Sequence, residues 1–156
     1  MNDEAGMKQA IEEAWRAYEN GEVPVGAAIF HEGQLIAAAG NEREKQTDPT
    51  AHAELLAIRR AASVLGRRRL TGCTLYVTLE PCPMCAGAAM LAGLDRILFG
   101  APDPKGGCCG SVYAIPEDPA FPHFCLCDGP FMEKECKSVL DRFFTEKRKA
   151  KKQNEP

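Results

Sequence analysis

Apolar positions divide the chain into helical stripes and short continuous runs. Over residues 4–20, Met7, Ala10, Ile11, Ala14, Trp15 and Tyr18 recur every three or four positions, which predicts an amphipathic helix stopped by Asn20-Gly21. Two apolar runs, 25–30 and 35–39, flank His31-Glu32-Gly33-Gln34 and read as a β-hairpin, with His31 a solvated turn residue. The polar stretch 41–48 reads as a loop. A second helix is expected from Asp48-Pro49-Thr50 to about Leu65, with Gly66 as its C-cap. Arg67-Arg68-Arg69 then reads as a solvated basic loop.

Residues 74–79, Thr-Leu-Tyr-Val-Thr-Leu, have the composition of a buried strand. Residues 84–94 are nearly all apolar or small, which predicts a buried helix open to close packing at Gly87, Ala88 and Ala89. A strand is expected at 96–100 and a short one at 124–127. Residues 101–122 are rich in Pro and Gly and lack periodicity, as functional or mobile loops do. The last helix, 130–149, carries Phe131, Cys136, Val139, Leu140, Phe143 and Phe144 as its apolar positions. No internal repeat is present, and the alternation of strands and helices predicts α/β layers.

Two segments add chemistry to this frame. Thr50-Ala51-His52-Ala53-Glu54 contains H-x-E, and Glu80-Pro81-Cys82-Pro83-Met84-Cys85 contains P-C-x-x-C. His52, Cys82 and Cys85 supply one imidazole and two thiols, a donor set suited to Zn²⁺. Three protein ligands leave one tetrahedral position for water, as in catalytic zinc sites. Zinc lowers the pKa of such a water toward ~7. Glu54, two residues beyond His52, is placed to take the water proton, pass it to a ring nitrogen and later protonate a departing amine. A thiolate at a helix start is stabilised by the helix dipole and free N–H groups, and Pro83 suits the first helical position. The pair of motifs is the known signature of zinc-dependent nucleobase deaminases.

Three plainer readings compete. A C-x-x-C pair can be redox-active, but that needs no H-x-E segment. A structural zinc site would take a fourth ligand from Cys73, Cys108 or Cys109 and leave Glu54 without a task. His52 and Glu54 could also be ordinary helix-start residues. Each motif alone is common, whereas both on two helix starts of one α/β chain form a specific pattern.

Composition narrows the setting. A length of 156 residues fits one domain, here a zinc-dependent deaminase domain over 1–156 with a basic tail from about 147. No apolar run is long enough to span a membrane, and Met1-Asn2-Asp3-Glu4 lacks the features of a signal peptide, so a cytoplasmic protein is expected. In that reducing setting the eight cysteines are not a disulfide framework; Cys73, Cys108, Cys109, Cys125, Cys127 and Cys136 read as buried or incidental thiols. The net charge of −3 does not by itself suggest a nucleic-acid partner, whereas the run Lys147-Arg148-Lys149-Ala150-Lys151-Lys152 does supply cations.

Over nearly its full length the chain resembles the bacterial tRNA adenosine deaminases within the cytidine deaminase-like family. The residues that carry the resemblance are Glu22-Val23-Pro24-Val25-Gly26-Ala27 and the stretches 48–54, 75–87 and 100–110, together with Phe143-Phe144 and Arg148. The resemblance implies a three-layer α/β/α cytidine deaminase-like fold with a mixed five-stranded sheet. It implies one zinc ion per subunit and a homodimer with active sites near the interface. The reaction it implies is hydrolytic conversion of adenosine to inosine at the wobble position of an arginine tRNA, with the anticodon loop as partner. It also implies that Asn41 holds the target nucleoside and that the backbone of Ala53 helps to read the base. Asp103 and Lys105 would lie on the anticodon-binding loop, and Phe144 and Arg148 would touch flanking RNA. The chain departs from the family in Pro122-His123, where Asn-His is usual, and in Pro102 and Pro104, which stiffen the loop around Asp103. A related deaminase of a free base or nucleoside, of guanine or cytosine type, is the alternative, which the acidic net charge favours. A non-catalytic zinc-stabilised binding module is a third reading, opposed by the position of Glu54.

Overall fold

Asn2 starts the first helix by accepting the Ala5 N–H on its side-chain oxygen at 2.8 Å, with Asp3 and Glu4 in the favourable first turn. The computed structural model describes residues 2–154; Met1 and the last two residues of the tail lie outside them. Helix α1 (Asp3–Glu19) buries Met7, Ala10, Ala14 and Ala17, and ends at Asn20 before Gly21 in the left-handed region. Strands β1 (Gly26–His31) and β2 (Gln34–Gly40) form the expected hairpin. Glu32 and Gly33 both have positive φ, 50° and 77°, the pattern of a tight type I′ turn whose twist matches the strands.

Helix α2 (Ala53–Leu65) starts later than expected. Residues 48–52 stay in turns, because the Asp48 side chain accepts the Thr50 N–H and hydroxyl and so competes with helical bonding. His52 is therefore the extended N-cap residue of α2 rather than a member of its first turn, and Glu54 is the second helical residue. Gly66 closes α2 in the left-handed conformation, and the following arginines are exposed, as expected. Strand β3 (Cys73–Leu79) leads through Glu80-Pro81 into α3 (Pro83–Ala92), then β4 (Arg96–Ala101). A single 3₁₀ turn (Ile115–Glu117) interrupts the long irregular segment. Strand β5 (Leu126–Asp128) and α4 (Glu133–Gln153) complete the chain, with α4 beginning and ending a few residues later than its apolar pattern indicated.

The sheet order is β2-β1-β3-β4-β5. β1 is antiparallel to both β2 and β3, whereas β3, β4 and β5 are parallel, so the sheet is mixed. Alternation along the strands builds two cores. Ala27, Ile29, Leu75, Val77, Ile97 and Phe99 face the layer that holds Leu56, Ala57 and Ala61 of α2 and Ala86 and Ala89 of α3. Ala28, Phe30, Tyr76 and Leu98 face Met7 and Ala10 of α1 and Cys136 of α4. This is the expected three-layer α/β/α arrangement. Gly26 is required where α1 crosses β1, since a Cβ there would lie 1.9 Å from the Ala10 carbonyl oxygen.

One expectation is corrected. Helix α3 is not wholly buried: Cys85, Ala86, Ala89 and Met90 face the core, but Met84, Gly87 and Ala88 are part-exposed and Leu91 is 66% exposed. Apolar composition without a clear periodicity concealed that two-faced character.

Candidate zinc-deaminase site

Two helix starts converge at the C-terminal end of β3. His52 caps α2 and Cys82 caps α3, with Cys85 one turn further along α3. The Cys82 and Cys85 sulfurs lie 3.7 and 3.6 Å from His52 Nδ1. Tetrahedral zinc with ordinary Zn–S and Zn–N bonds requires an N···S edge of about 3.6 Å. All three donor atoms lie within 4.8 Å of one another, and no other His, Cys, Asp or Glu among the described residues joins the group. The donor set therefore fits zinc with an open fourth position. Cys73, Cys108 and Cys109 are buried free thiols outside this group, which removes the four-ligand structural alternative.

The electrostatics of the cluster suit metal binding. The Cys85 thiol hydrogen-bonds the Cys82 sulfur, and with support from His52 this holds Cys82 at about 4, a thiolate at neutral pH. The same hydrogen bond and burial push Cys85 upward. Its Cys82 partner raises His52. Burial pushes Glu54 up to about 7, and its carboxyl reaches the Cys85 sulfur.

These groups open into a cleft of about 150 Å³ lined by Val23, Asn41, Arg43, His52, Glu54, Leu79, Glu80, Cys82 and Asp103. Asn41 is fixed from both ends: its amide nitrogen donates to the Val23 carbonyl at 3.0 Å and its oxygen accepts the Ala53 N–H at 2.8 Å. Ala53 itself is buried, and its N–H is taken up by this bond. Glu22, also buried, accepts the Glu44 and Lys45 N–H groups at 3.1 and 2.9 Å and shapes the loop that carries Arg43.

Val23, Leu79 and Asp103 are shared with a second, larger groove of about 580 Å³, which runs past Pro102, Pro104 and Lys105 to Lys137 and Phe144 on α4. The structure thus places Asn41 and Asp103 at the zinc-site cleft, and Lys105 and Phe144 along its continuation. Arg148 lies beyond, in a hollow shared with Phe144, Lys147 and Lys151. Phe144 is 41% exposed, and the core aromatic of α4 is its neighbour Phe143, which packs edge-on against Tyr18 at 6.3 Å. Sequence reasoning assigned no task to Arg43 or Glu80. Arg43 carries no local signal, whereas Glu80 could have been suspected as a carboxylate between an apolar strand and a metal motif.

Residues 1–101 match the cytidine and deoxycytidylate deaminase zinc-binding region. The chain is 49% identical over 150 residues to the tRNA-specific adenosine deaminase of Bacillus subtilis, covering 96% of this chain and 93% of that protein. It is 45% identical to the Aquifex aeolicus protein of the same description, covering 92% and 95%. A solved structure from a study of A-to-I editing by tRNA:A34 deaminases superposes with a TM-score of 0.84 at 42% identity, over 88% of this chain and 99% of that one. A guanine deaminase structure from Bacillus subtilis matches with a TM-score of 0.63 at 41% identity, over 65% and 66%. The convergence of His52, Cys82 and Cys85 beside Glu54, the family match and the relatives that cover more than nine-tenths of the chain lead to one assignment: the chain belongs to the zinc-binding cytidine and deoxycytidylate deaminase family, in the group of its tRNA-specific adenosine deaminase relatives.

Proposed function

We propose that the protein is a zinc-dependent hydrolase that converts adenosine to inosine at the wobble position of tRNA. The observation that carries this reading is the continuity of the His52/Cys82/Cys85/Glu54 cleft with the groove that reaches Lys105 and Phe144. A small-molecule deaminase needs only the cleft; the groove itself mixes Lys105 and Lys137 with Asp103, Glu133 and Asp141, but the exposed Phe144 at its end opens onto a hollow lined by Lys147, Arg148 and Lys151, which suits a polynucleotide. The names of the relatives, which cover nearly the whole chain, support the same substrate.

Zinc held by His52, Cys82 and Cys85 would supply Lewis-acid activation of water. Glu54 takes one proton from the attacking water and delivers it to a ring nitrogen of adenine, then takes the proton of the new C6 hydroxyl and passes it to the amine as it leaves. A C–O bond forms at C6, the C–N bond breaks, and inosine and ammonia result. Burial of Glu54 suits this double role, because desolvation raises its carboxyl above the usual range and makes it a readier proton acceptor. Asn41, held in place by the Ala53 N–H, forms the part of the cleft wall against which the extruded nucleoside is held. Asp103 and Lys105 meet the loop around it, while Phe144 stacks on a flanking base and Arg148 pairs with phosphate.

Two further features complete the reading. The apolar stripe Met84, Gly87, Ala88 and Leu91 on α3 is the face of a homodimer, with space over Gly87 for close approach. No described helix is long and apolar enough to cross a membrane, and the bacterial tRNA-specific relatives favour a cytoplasmic enzyme. The whole chain acts as one deaminase unit.

The deciding experiment incubates zinc-loaded protein with an anticodon stem-loop bearing adenosine at the wobble position and, separately, with free guanine and cytosine. Inosine in the RNA is expected. Ammonia release from a free base without inosine in RNA would transfer the assignment to the second reading, a base deaminase, which the likeness to guanine deaminase favours over part of the chain.

A further inference from the structure

Glu80 is 2% exposed, and no described lysine, arginine or histidine pairs with it. Burying a carboxylate in this way is strongly unfavourable unless its lone pairs are met by hydrogen-bond donors. Here the partners all come from one loop. Oε1 accepts the Asp103 N–H at 3.0 Å and the Ser111 hydroxyl. Oε2 accepts the Cys109 and Ser111 N–H groups, each at 3.0 Å. Gly107 passes so close that a Cβ there would lie 2.3 Å from the carboxyl carbon. The loop 103–111 is therefore wrapped around a single anion, and its middle is pinned to the metal turn by the Cys108 N–H, which donates to the Pro81 carbonyl at 2.8 Å.

The two ends of this arrangement have different tasks. Glu80 precedes Pro81-Cys82 and lines the cleft of the zinc donors. The loop it gathers begins with Asp103, which borders both that cleft and the outer groove, and includes Lys105 on the groove wall. Asp103 in turn accepts the Lys105 and Gly106 N–H groups at 3.1 and 3.3 Å, so the orientation at Glu80 passes directly to the strip that faces the groove. A glutamine has the same size but only one acceptor oxygen, and would direct an NH₂ toward backbone N–H groups.

We infer that Glu80 is a positioning residue for substrate: it holds the loop 103–111 as one wall of the groove, in register with the zinc centre, so that a polynucleotide chain is gripped while its base is in the cleft. This rests on the reading of the groove as an RNA site. Glu80 itself need not touch the reacting atoms.

The test compares wild-type protein with Glu80→Gln, Glu80→Asp and Gly107→Ala as full-length, zinc-loaded enzymes. Gly107→Ala displaces the loop from its own side and keeps the decision open if Glu80→Gln does not fold. Zinc content and melting temperature are measured with kcat and KM for the stem-loop, and amide exchange is followed in peptides covering 102–112 and 74–79. In Glu80→Gln and Gly107→Ala, faster exchange confined to 102–112 is expected, with KM raised roughly tenfold or more while kcat stays within about threefold. Glu80→Asp, which keeps both acceptor oxygens, should recover part of the KM loss. Unchanged exchange in 102–112, a loosened loop with wild-type KM, or a loss confined to kcat and zinc content would each overturn the inference. A wild-type enzyme that makes no inosine refutes the RNA reading instead; the exchange comparison still decides whether Glu80 holds the loop.

Discussion

The side-chain oxygen of Asn41 accepts the backbone N–H of Ala53 at 2.8 Å, joining the end of β2 to the start of the helix that carries Glu54. The bond satisfies one of the free N–H groups at that helix start, a place His52 leaves uncapped by its own side chain. His52 is thereby free to turn its Nδ1 toward Cys82 and Cys85. One asparagine thus serves the helix end and borders the cleft at once.

The zinc assignment predicts about one metal ion per chain by elemental analysis. Cys82→Ser and Cys85→Ser should lose zinc and melt at lower temperature, since binding to the folded donor set contributes to folding free energy. Full zinc occupancy in both variants would refute the ligand set.

Glu54→Gln should keep zinc and the fold yet lose activity by roughly 10²–10⁴-fold, the ordinary contribution of a positioned acid–base group. Removing a buried carboxyl that lies well above its usual range should not destabilise the protein severely. Near wild-type turnover in a zinc-loaded Glu54→Gln enzyme would exclude the proton-transfer role.

RNA affinity should fall steeply with salt as Lys105, Arg148 and the tail lysines release counterions. Phe144→Ala should weaken binding by roughly 1–3 kcal/mol if the ring stacks on a base. Its exposure implies little change in melting temperature, whereas Phe143→Ala, in the core against Tyr18, should lower it clearly. Equal stability losses in both variants would argue against a binding role for Phe144.

Leu91→Glu would place a charge in the apolar stripe of α3. Light scattering at micromolar concentration should report a dimer for the wild type and a monomer for the variant. A wild-type monomer would remove the dimer from the account.

Asp3 predicts an acid-side effect on stability. Arg96 hydrogen-bonds its carboxylate at 2.8 and 3.1 Å and holds its pKa below the ordinary 3.8. A lowered folded pKa means the ionised form stabilises the native state above 3.8, and the contribution is lost as pH falls through the lower folded value. Asp3→Asn should therefore melt earlier than wild type at neutral pH, and the gap should narrow on acidification. A gap independent of pH would refute a charge-dependent contribution of Asp3.

The H-x-E and P-C-x-x-C segments are short, and their residue types are specified by metal chemistry, so His52, Cys82, Cys85 and Glu54 could be singled out as candidates before any fold was known, and the fold brings the three donors together. The apolar periodicities of α1 and α4 and the β-rich run of β3 are local signals, and the element order followed from them. Local signals fail where distant partners decide. The Asp48–Thr50 turn delayed α2 by several residues, and the exposed face of α3 could not be told from its buried one, because its residues are apolar on both sides. Glu80 stood in plain view beside the cysteines, but its partners lie from Asp103 to Ser111, and only folding brings their N–H groups to one carboxylate. The sequence by itself determined the α/β class and the donor types of the metal site, since periodicity and donor type are properties of neighbouring residues, while the three-layer order with its mixed sheet was what the family resemblance implied. Tertiary structure decided which loop walls the cleft, which aromatic of the Phe143-Phe144 pair faces solvent, and how the cleft continues toward α4, because those depend on contacts between segments far apart in the chain.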